Sequence, residues 1–312
     1  MQDYITRHVV KSFGRKVQRW RDFIDDGQNY ADPKFYPSSF QIFTWNVNFN
    51  ELHAVERLHT ILKYIARKIP KRKDGVKPVP CCILLQEVAR EVFPALLEHA
   101  WVRAHFQMIP TTPNEWPVGA AYGVVTLVAR SLWVHQAQSL VFGTSCMVRS
   151  ALFVDIRMNI ESLRVNGDRV QTSGAEPDPE VVILRLANTH LESLPGGAAA
   201  RVVQLNATAA LLREVDCGVV CGDMNAIGYS DINLHVYAGL KDAWKRAEGP
   251  AGYTWGYQPV CQFPVGRLDK ILYTPSDTLE VEELKRVGVG LKTPEGYWAS
   301  DHFGLRTVVR VV

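Results

Sequence analysis

The sequence predicts a single domain of the α/β or α+β class, on three observations. Apolar runs of strand length recur from Phe40 to the C-terminus and alternate with amphipathic helical stretches. The alternation keeps no regular strand–helix–strand rhythm, which argues against a doubly wound sheet or a barrel. No linker or internal repeat divides the chain.

Composition agrees. At 312 residues, 47% hydrophobic and 21% charged, the chain can bury one large core. A formal net charge of +3 is too slight to identify a polyanionic partner by itself. Six cysteines show no Cys-x-x-Cys pair, and Cys81, Cys82, Cys217 and Cys221 sit in apolar runs. They read as buried thiols in a reducing, intracellular compartment, with nucleus and cytoplasm not distinguished. No apolar stretch reaches the ~18 residues of a membrane span. Asp3 and Arg7 stand where a secretory apolar segment would be, so no signal peptide is expected.

Residues 1–38 read as a basic N-terminal extension. Val9, Val10, Phe13, Val17, Trp20 and Phe23 or Ile24 recur near helical spacing, with Lys11, Arg15, Lys16, Arg19 and Arg21 between them. The expectation is a helix packed on the body; a nucleic-acid arm or a membrane-surface helix are the other readings. Asp25-Asp26-Gly27, Pro33 and Pro37 mark a loop into the main domain, 39–312. There, Phe40–Phe43 is a strand, and 51–69 a helix with Leu52, Val55, Leu58, Leu62 and Ile65 on one face. Lys68–Lys77 is a basic loop, Cys81–Leu85 a buried strand, and 90–100 another helix whose His99, like His105, is structural. Tyr122–Val128, Leu132–Val134 and Ala151–Ile156 read as neighbouring antiparallel strands. Asn166-Gly167-Asp168 marks a hairpin tip within 162–180. Val181–Ala187 is a core strand, about 198–214 a helix and Cys217–Cys221 the central strand. A loop-rich, aromatic stretch, 228–264, precedes the last strands, Leu268–Tyr273 and Phe303–Val311.

Chemistry-bearing residues cluster at the ends of these runs. Cys217–Cys221 leads into Gly222-Asp223-Met224-Asn225, and residues i and i+2 at a strand mouth share a face. A carboxylate there can orient a water and take its proton, while a carboxamide can donate to an oxygen that gains charge. The same punctuation recurs at Thr44-Trp45-Asn46-Val47-Asn48, Gln86-Glu87, Thr189-His190-Leu191-Glu192-Ser193 and Ser300-Asp301-His302. Arg267-Leu268-Asp269 adds a lone Asp inside a strand-like segment.

Trp-Asn, Gln-Glu, Thr-His-Leu, Gly-Asp-x-Asn, Arg-x-Asp and Ser-Asp-His, in that order, resemble the endonuclease/exonuclease/phosphatase superfamily with its DNase I-like fold. The resemblance runs from about Phe40 to the C-terminus. Thr-His-Leu-Glu-Ser, followed by Arg201, Gln204 and Tyr253-Thr254-Trp255, is most similar to the 5′-tyrosyl-DNA phosphodiesterases. It implies a four-layer α/β/β/α sandwich with the motifs at one edge. It also implies hydrolysis of a phosphodiester by water, aided by Mg²⁺ or Mn²⁺ held by Glu87 and Asp301. Asn46 would complete or support that metal site through its carbonyl, with Asn48 in the same metal-site set. Asp223 would activate the water, and Asn225 would hold it or a phosphate oxygen. His302, partnered by Asp269, and His190 with Ser193 would contact the phosphate. Trp255 would stack on a base, and Arg267 is assigned a binding or supporting role. The implied partner is a DNA 5′ end carrying a tyrosyl adduct, and the chain is expected to act as a monomer. Asn48 departs from the aspartate usual at that position and removes one negative charge beside the metal. Other readings are an abasic-site or general nuclease, a lipid or inositol phosphatase, and a non-catalytic binding module.

Overall fold

Alternation decides the architecture. In β4 (Ser39–Asn46), Phe40 and Ile42 face one way and Phe43 and Trp45 the other, and all four are buried. A strand buried on both faces needs a layer on each side, and three separate cores provide them. The computed structural model describes residues 2–22, 36–69, 79–160, 180–246 and 249–312. The Asn166-Gly167-Asp168 tip and most of the basic run after Lys68 lie outside those residues.

One sheet orders β1 (Tyr4–His8), β8 (Trp133–Val141), β9 (Ser150–Asn159), β10 (Val181–His190), β11 (Cys217–Asp223), β13 (Asp269–Tyr273) and β12 (Lys241–Asp242). The other orders β14 (Leu279–Val281), β16 (Gly304–Val311), β4, β5 (Cys81–Ala89), β7 (Tyr122–Ala129), β6 (Phe106–Ile109), β2 (Lys11–Gly14) and β3 (Arg19–Asp22). β15 (Lys285–Val287) pairs with β16. The sheets press Ile42, Leu84, Val154, Leu186, Val219 and Leu305 together as the middle core. Outside the second sheet lie α1 (Ala54–Lys68), α2 (Phe93–Glu98) and α3 (Ala100–His105); outside the first lie α4 (Ala198–Leu212) and α5 (Leu234–Tyr237). The result is the α/β/β/α sandwich of the DNase I-like fold.

α1 illustrates how the helices form. Glu56 stands in its first turn and Arg67 and Lys68 in its last, matching the helix dipole. Leu58, Ile61, Leu62 and Ile65 are fully buried on one stripe, each contributing about 1.5–3 kcal/mol.

Three expectations are corrected. Over residues 2–22 the N-terminal segment is three strands, not a helix: β1 pairs with β8 in one sheet, while β2 pairs with β6 in the other. Phe23, Ile24 and the loop expected from Asp25 to Pro33 lie outside the described residues. Both sheet edges offered unpaired backbone groups, and satisfying them outweighs a loose helical spacing among β-branched and aromatic residues. Tyr122–Val128 neighbours neither of the strands grouped with it; β7 lies in the second sheet between β5 and β6, while β8 and β9 pair in the first. The helix read over 90–100 is two short helices, broken where His99 is extended.

Candidate active site

Eight strand ends converge at one edge of the sandwich. The parallel pairs β4/β5 and β10/β11 deliver their C-terminal residues there. Their antiparallel neighbours β16, β7, β9 and β13 begin there. Asn46, Glu87, His190 and Asp223 thus arrive at strand ends, and Asp269 and His302 at strand beginnings.

Local backbone aims each group. Glu87 sits at a register shift between Leu85 and Val88 with φ of 57°, a bulge that costs roughly 1–2 kcal/mol for a non-glycine. Gly222 approaches β10 so closely that a Cβ would run into the Thr189 carbonyl oxygen, and only glycine lets Asp223 follow there. Beneath the site, buried Gln86 donates to Asn188 Oδ1 (2.7 Å) and Thr44 Oγ1 (3.0 Å), tying the two sheets together.

Asn46 Nδ2 donates to Glu87 Oε1 and Asp223 Oδ2, both at 3.0 Å. Its carbonyl accepts from the Asn48 N–H (2.9 Å), so Asn46 turns its NH₂, not its oxygen, towards the carboxylates. Phe49 N–H donates to Glu87 Oε2 (3.1 Å). Asn48 has φ of 56°, and its side-chain oxygen accepts from Asn50 N–H (3.2 Å), a local turn that Asn or Asp both suit. Burial pushes the Asp223 carboxyl up to about 6, with His302 opposing the shift and Asp269 and Glu87 adding to it. Asp223 Oδ1 accepts from Asn225 N–H (2.8 Å), and Asn225 Nδ2 donates to the Leu191 carbonyl (3.0 Å).

The two histidines flank Asp223 and have opposite partners. His302 Nδ1 donates to Asp269 Oδ2 (2.8 Å), and its Nε2 lies 3.8 Å from Asp223 Oδ2. Burial opposes its charge, but Asp269, Asp301 and Asp223 outweigh burial and hold it protonated. His190 Nδ1 lies 2.7 Å from Arg149 Nη1. A guanidinium only donates, so this nitrogen accepts and Nε2 carries the proton. Burial, Arg149 and His302 keep this ring neutral, its Nε2 standing 3.4 Å from Asp223 and 3.7 Å from Glu87. Arg149 Nη2 donates to Ser193 Oγ (3.0 Å), joining Ser193 to the same group.

Aromatic rings stand on both flanks. Phe49 stacks on Tyr122 at 3.8 Å, and Tyr122 lies 6.4 Å from the His190 ring with Arg149 over its face. Trp255 lies 6.4 Å from His302 and from Phe263, and donates from Nε1 to Asp301 Oδ2 (2.9 Å). Asp301 therefore sits at the Trp255 side, outside the two tight groups Glu87–His190–Asp223 and Asp223–Asp269–His302. Arg267 is committed to Asp242 (2.7 Å), both nearly buried, and so ties the strand to its edge partner. Arg201 and Gln204 hold the loop after His190. Arg201 pairs with Asp231 and donates to the Glu192 and Leu194 carbonyls, while Gln204 bonds Glu192 on both backbone and side chain.

Arg149, Tyr122, Phe49 and Arg57 were not singled out from sequence. Arg149 and Tyr122 stand at the beginnings of β9 and β7, so a search for polar residues after apolar runs passes them by. Arg57 reads as one charge on an amphipathic helix, yet it is buried against the Trp298 and Asn48 carbonyls and feels Asp301 and Glu87.

The donor set suits a hard cation. Glu87, Asp223, Asp269 and Asp301 supply oxygens, and Asp269 Oδ1 is buried without a hydrogen-bond partner among the described residues. Both histidines have Nδ1 engaged and neither offers a free lone pair in its assigned protonation state, which disfavours a nitrogen-ligated metal. Such a cluster can hold a phosphate between hydrogen-bond donors with a carboxylate beside it.

No curated protein matches the chain by sequence. Solved structures match its fold. Zebrafish (D. rerio) TDP2 complexed with a single-strand DNA product superposes with a TM-score of 0.64 at 19% identity, covering 88% of this chain and 100% of that one. TDP2 from C. elegans gives 0.64 at 17%, covering 88% and 75%. The human Nocturnin catalytic domain with bound sulfate gives 0.58 at 18%, covering 88% and 96%. The sequence model of the endonuclease/exonuclease/phosphatase family matches residues 43–302, and the chain belongs to that family, whose members are hydrolases of phosphate ester bonds.

Proposed function

We propose that this protein is a divalent-metal-dependent phosphodiesterase that releases tyrosine from a DNA 5′ end. The observation that carries the substrate is the pair of aromatic flanks. Phe49/Tyr122 stand on the His190 side and Trp255/Phe263 on the His302 side, with the phosphate-binding donors between them. A phosphate esterified on one side to a phenol and on the other to a terminal nucleoside presents two flat rings to such a cleft. Stacking a base on an aromatic side chain is worth ~1–3 kcal/mol and tolerates any sequence. The product named in the zebrafish TDP2 structure, single-strand DNA, is consistent with this reading.

The residues divide the work as follows. Neutral His190 through Nε2–H, protonated His302 through Nε2–H, and Ser193 hold the non-bridging oxygens. Asp223 accepts a proton as the water oxygen attacks phosphorus, with Asn225 beside it and Asn46 orienting both Asp223 and Glu87. The bond from phosphorus to the phenolic oxygen breaks, leaving a 5′-phosphate. A phenol has pKa ~10, so its oxygen departs with less protonation than an alkoxide needs. Glu87 and Asp301 would hold Mg²⁺, or Mn²⁺ in its place, which when bound offsets negative charge on the phosphate.

Purified protein is to be offered a 5′-phosphotyrosyl oligonucleotide and an abasic duplex of equal length, each with Mg²⁺ and with EDTA. The expected result is Mg²⁺-dependent release of tyrosine and a 5′-phosphate end. Preference for the abasic duplex, or full turnover in EDTA, would sink the reading.

A further inference from the structure

We infer that Arg15, Arg103 and Arg130 form a second nucleic-acid contact, a phosphate-backbone site at the end of the sandwich remote from the reacting phosphate. The inference rests on the proposed nucleic-acid substrate and extends it to a site completed by Phe13 and Arg15, which precede the family match at residues 43–302.

The three guanidiniums gather around Phe13. Arg103 lies over its ring at 4.5 Å, Arg130 Nη2 donates to its carbonyl at 2.7 Å, and Arg15 Nη2 donates to the Ala104 carbonyl at 3.2 Å. Each is fixed by an uncharged group. Among the described residues none of the three forms an ion pair, and neither do Lys16, Arg19 and Arg21 on the adjoining turn and strand. Burial lowers the Arg130 pKa and the neighbouring Arg15 charge adds to the shift, so the cations are close enough to repel. Assembling like charges without carboxylates destabilises the fold slightly, and a polyanion would offset that repulsion. Arginine is also the side chain best shaped to bind phosphate through two N–H groups.

Register fixes where this site lies. β7 begins at the active-site edge with Tyr122 and ends at Ala129 opposite Phe106, and Arg130 follows. Ser12 pairs with Gln107, so β2 runs on towards the same far end, reaching Gly14 and then Arg15. Eight strand residues separate Tyr122 from Arg130, roughly 26 Å at ~3.3 Å each. At the ~3.4 Å per nucleotide of a stacked strand, about 8 nucleotides span the two places.

The test compares wild type with the R15Q/R103Q/R130Q variant, and with R15Q alone in case the triple variant folds poorly. Substrates are tyrosyl oligonucleotides about half and twice that bridging length, plus the p-nitrophenyl ester of thymidine 5′-monophosphate as a probe of chemistry alone. For the long substrate the slope of log KM against log salt should fall by about 2 in the triple variant, at ~0.7 per single-strand phosphate contact, and by about 0.7 in R15Q. kcat, the short substrate and the ester should be unaffected. Equilibrium binding of the same oligonucleotides, without turnover, should lose the same slope. A long-substrate KM and binding slope that ignore the arginines overturn the inference while leaving the proposed activity standing. Arginine-dependent binding to phosphatidylserine vesicles but not to oligonucleotides overturns it in favour of a membrane contact. Failure of wild type to hydrolyse ester and oligonucleotides alike breaks the proposed activity instead.

Discussion

The halves of the active site around His190 and His302 use one side chain in two ways. Both rings are buried, and both point Nε2 at Asp223. At His302 the Nδ1 partner is a carboxylate, so that ring keeps a second proton. At His190 the partner is a guanidinium, so that ring cannot. A histidine's charge here is set from behind, by the residue bonded to Nδ1 on the side away from Asp223. The sequence order of motifs does not state it, because neither Arg149 nor Asp269 is adjacent in sequence to the ring it governs.

The largest effect comes from removing the group between the two halves. Asp223→Asn keeps the shape and removes the proton acceptor, and kcat should fall ~10²-fold or more. The acid limb sharpens this. Asp223 works as the carboxylate, so activity should rise as pH rises through about 6, and a cation held at Glu87 would move that midpoint lower. A pH–rate profile of wild type with no acidic limb, or full turnover by the variant, would count against Asp223 as the base.

Breaking the His190 half comes next. Arg149→Met removes the donor to Nδ1, frees the ring to carry its proton there, and loosens Ser193. The expected loss in kcat is about 10–100-fold, the range for one positioned electrostatic donor or less. Nitrogen chemical shifts of the His190 ring would report the tautomer directly. An unchanged tautomer in the variant would show that Arg149 does not set it.

The His302 half should respond through pH rather than through rate. A neighbouring carboxylate raises an imidazole pKa, so Asp269→Asn lowers it. His302 acts while protonated, and the alkaline limb of kcat/KM should therefore move to lower pH, with a smaller loss well below that limb. A limb that stays in place would assign it to some other group.

Legibility followed strand direction. Residues at the C-terminal ends of β4, β5, β10 and β11 follow apolar runs, and Asn46, Glu87, His190 and Asp223 could be picked out by that punctuation. Arg149 and Tyr122 precede their runs, where a polar residue reads as the end of a loop, and only pairing with the antiparallel neighbour brings them to the same edge. Asp269 and His302 also precede strands, but sequence motifs marked them. The two-sheet architecture was legible only through the family resemblance, because the apolar runs by themselves pointed no further than a single α/β or α+β domain. The N-terminal strands were not, because their sequence is compatible with a helix and only the vacancy at two sheet edges selects strands. Arg267, next to a motif in sequence, takes the supporting one of its two expected roles, paired with Asp242.

The smallest expected effect tests the one departure from the family pattern. Asn48 spends its side-chain oxygen on Asn50 N–H and its backbone on Asn46 and Arg57, so the turn does not need an amide at that position. Asp accepts the same hydrogen bond and tolerates the same left-handed backbone, so Asn48→Asp should fold normally. What changes is one added negative charge near Glu87, with Arg57 bonded to the Asn48 carbonyl and buried close to the same carboxylates. A carboxylate added near a hard cation favours its binding, and partial screening by Arg57 limits the gain. The half-saturating Mg²⁺ concentration should therefore fall by a few-fold, with kcat at saturating metal nearly unchanged. Titration of rate against Mg²⁺ reads this directly. A half-saturating concentration that rises in the variant would mean that position 48 acts on the metal through the geometry of its turn and not through its charge.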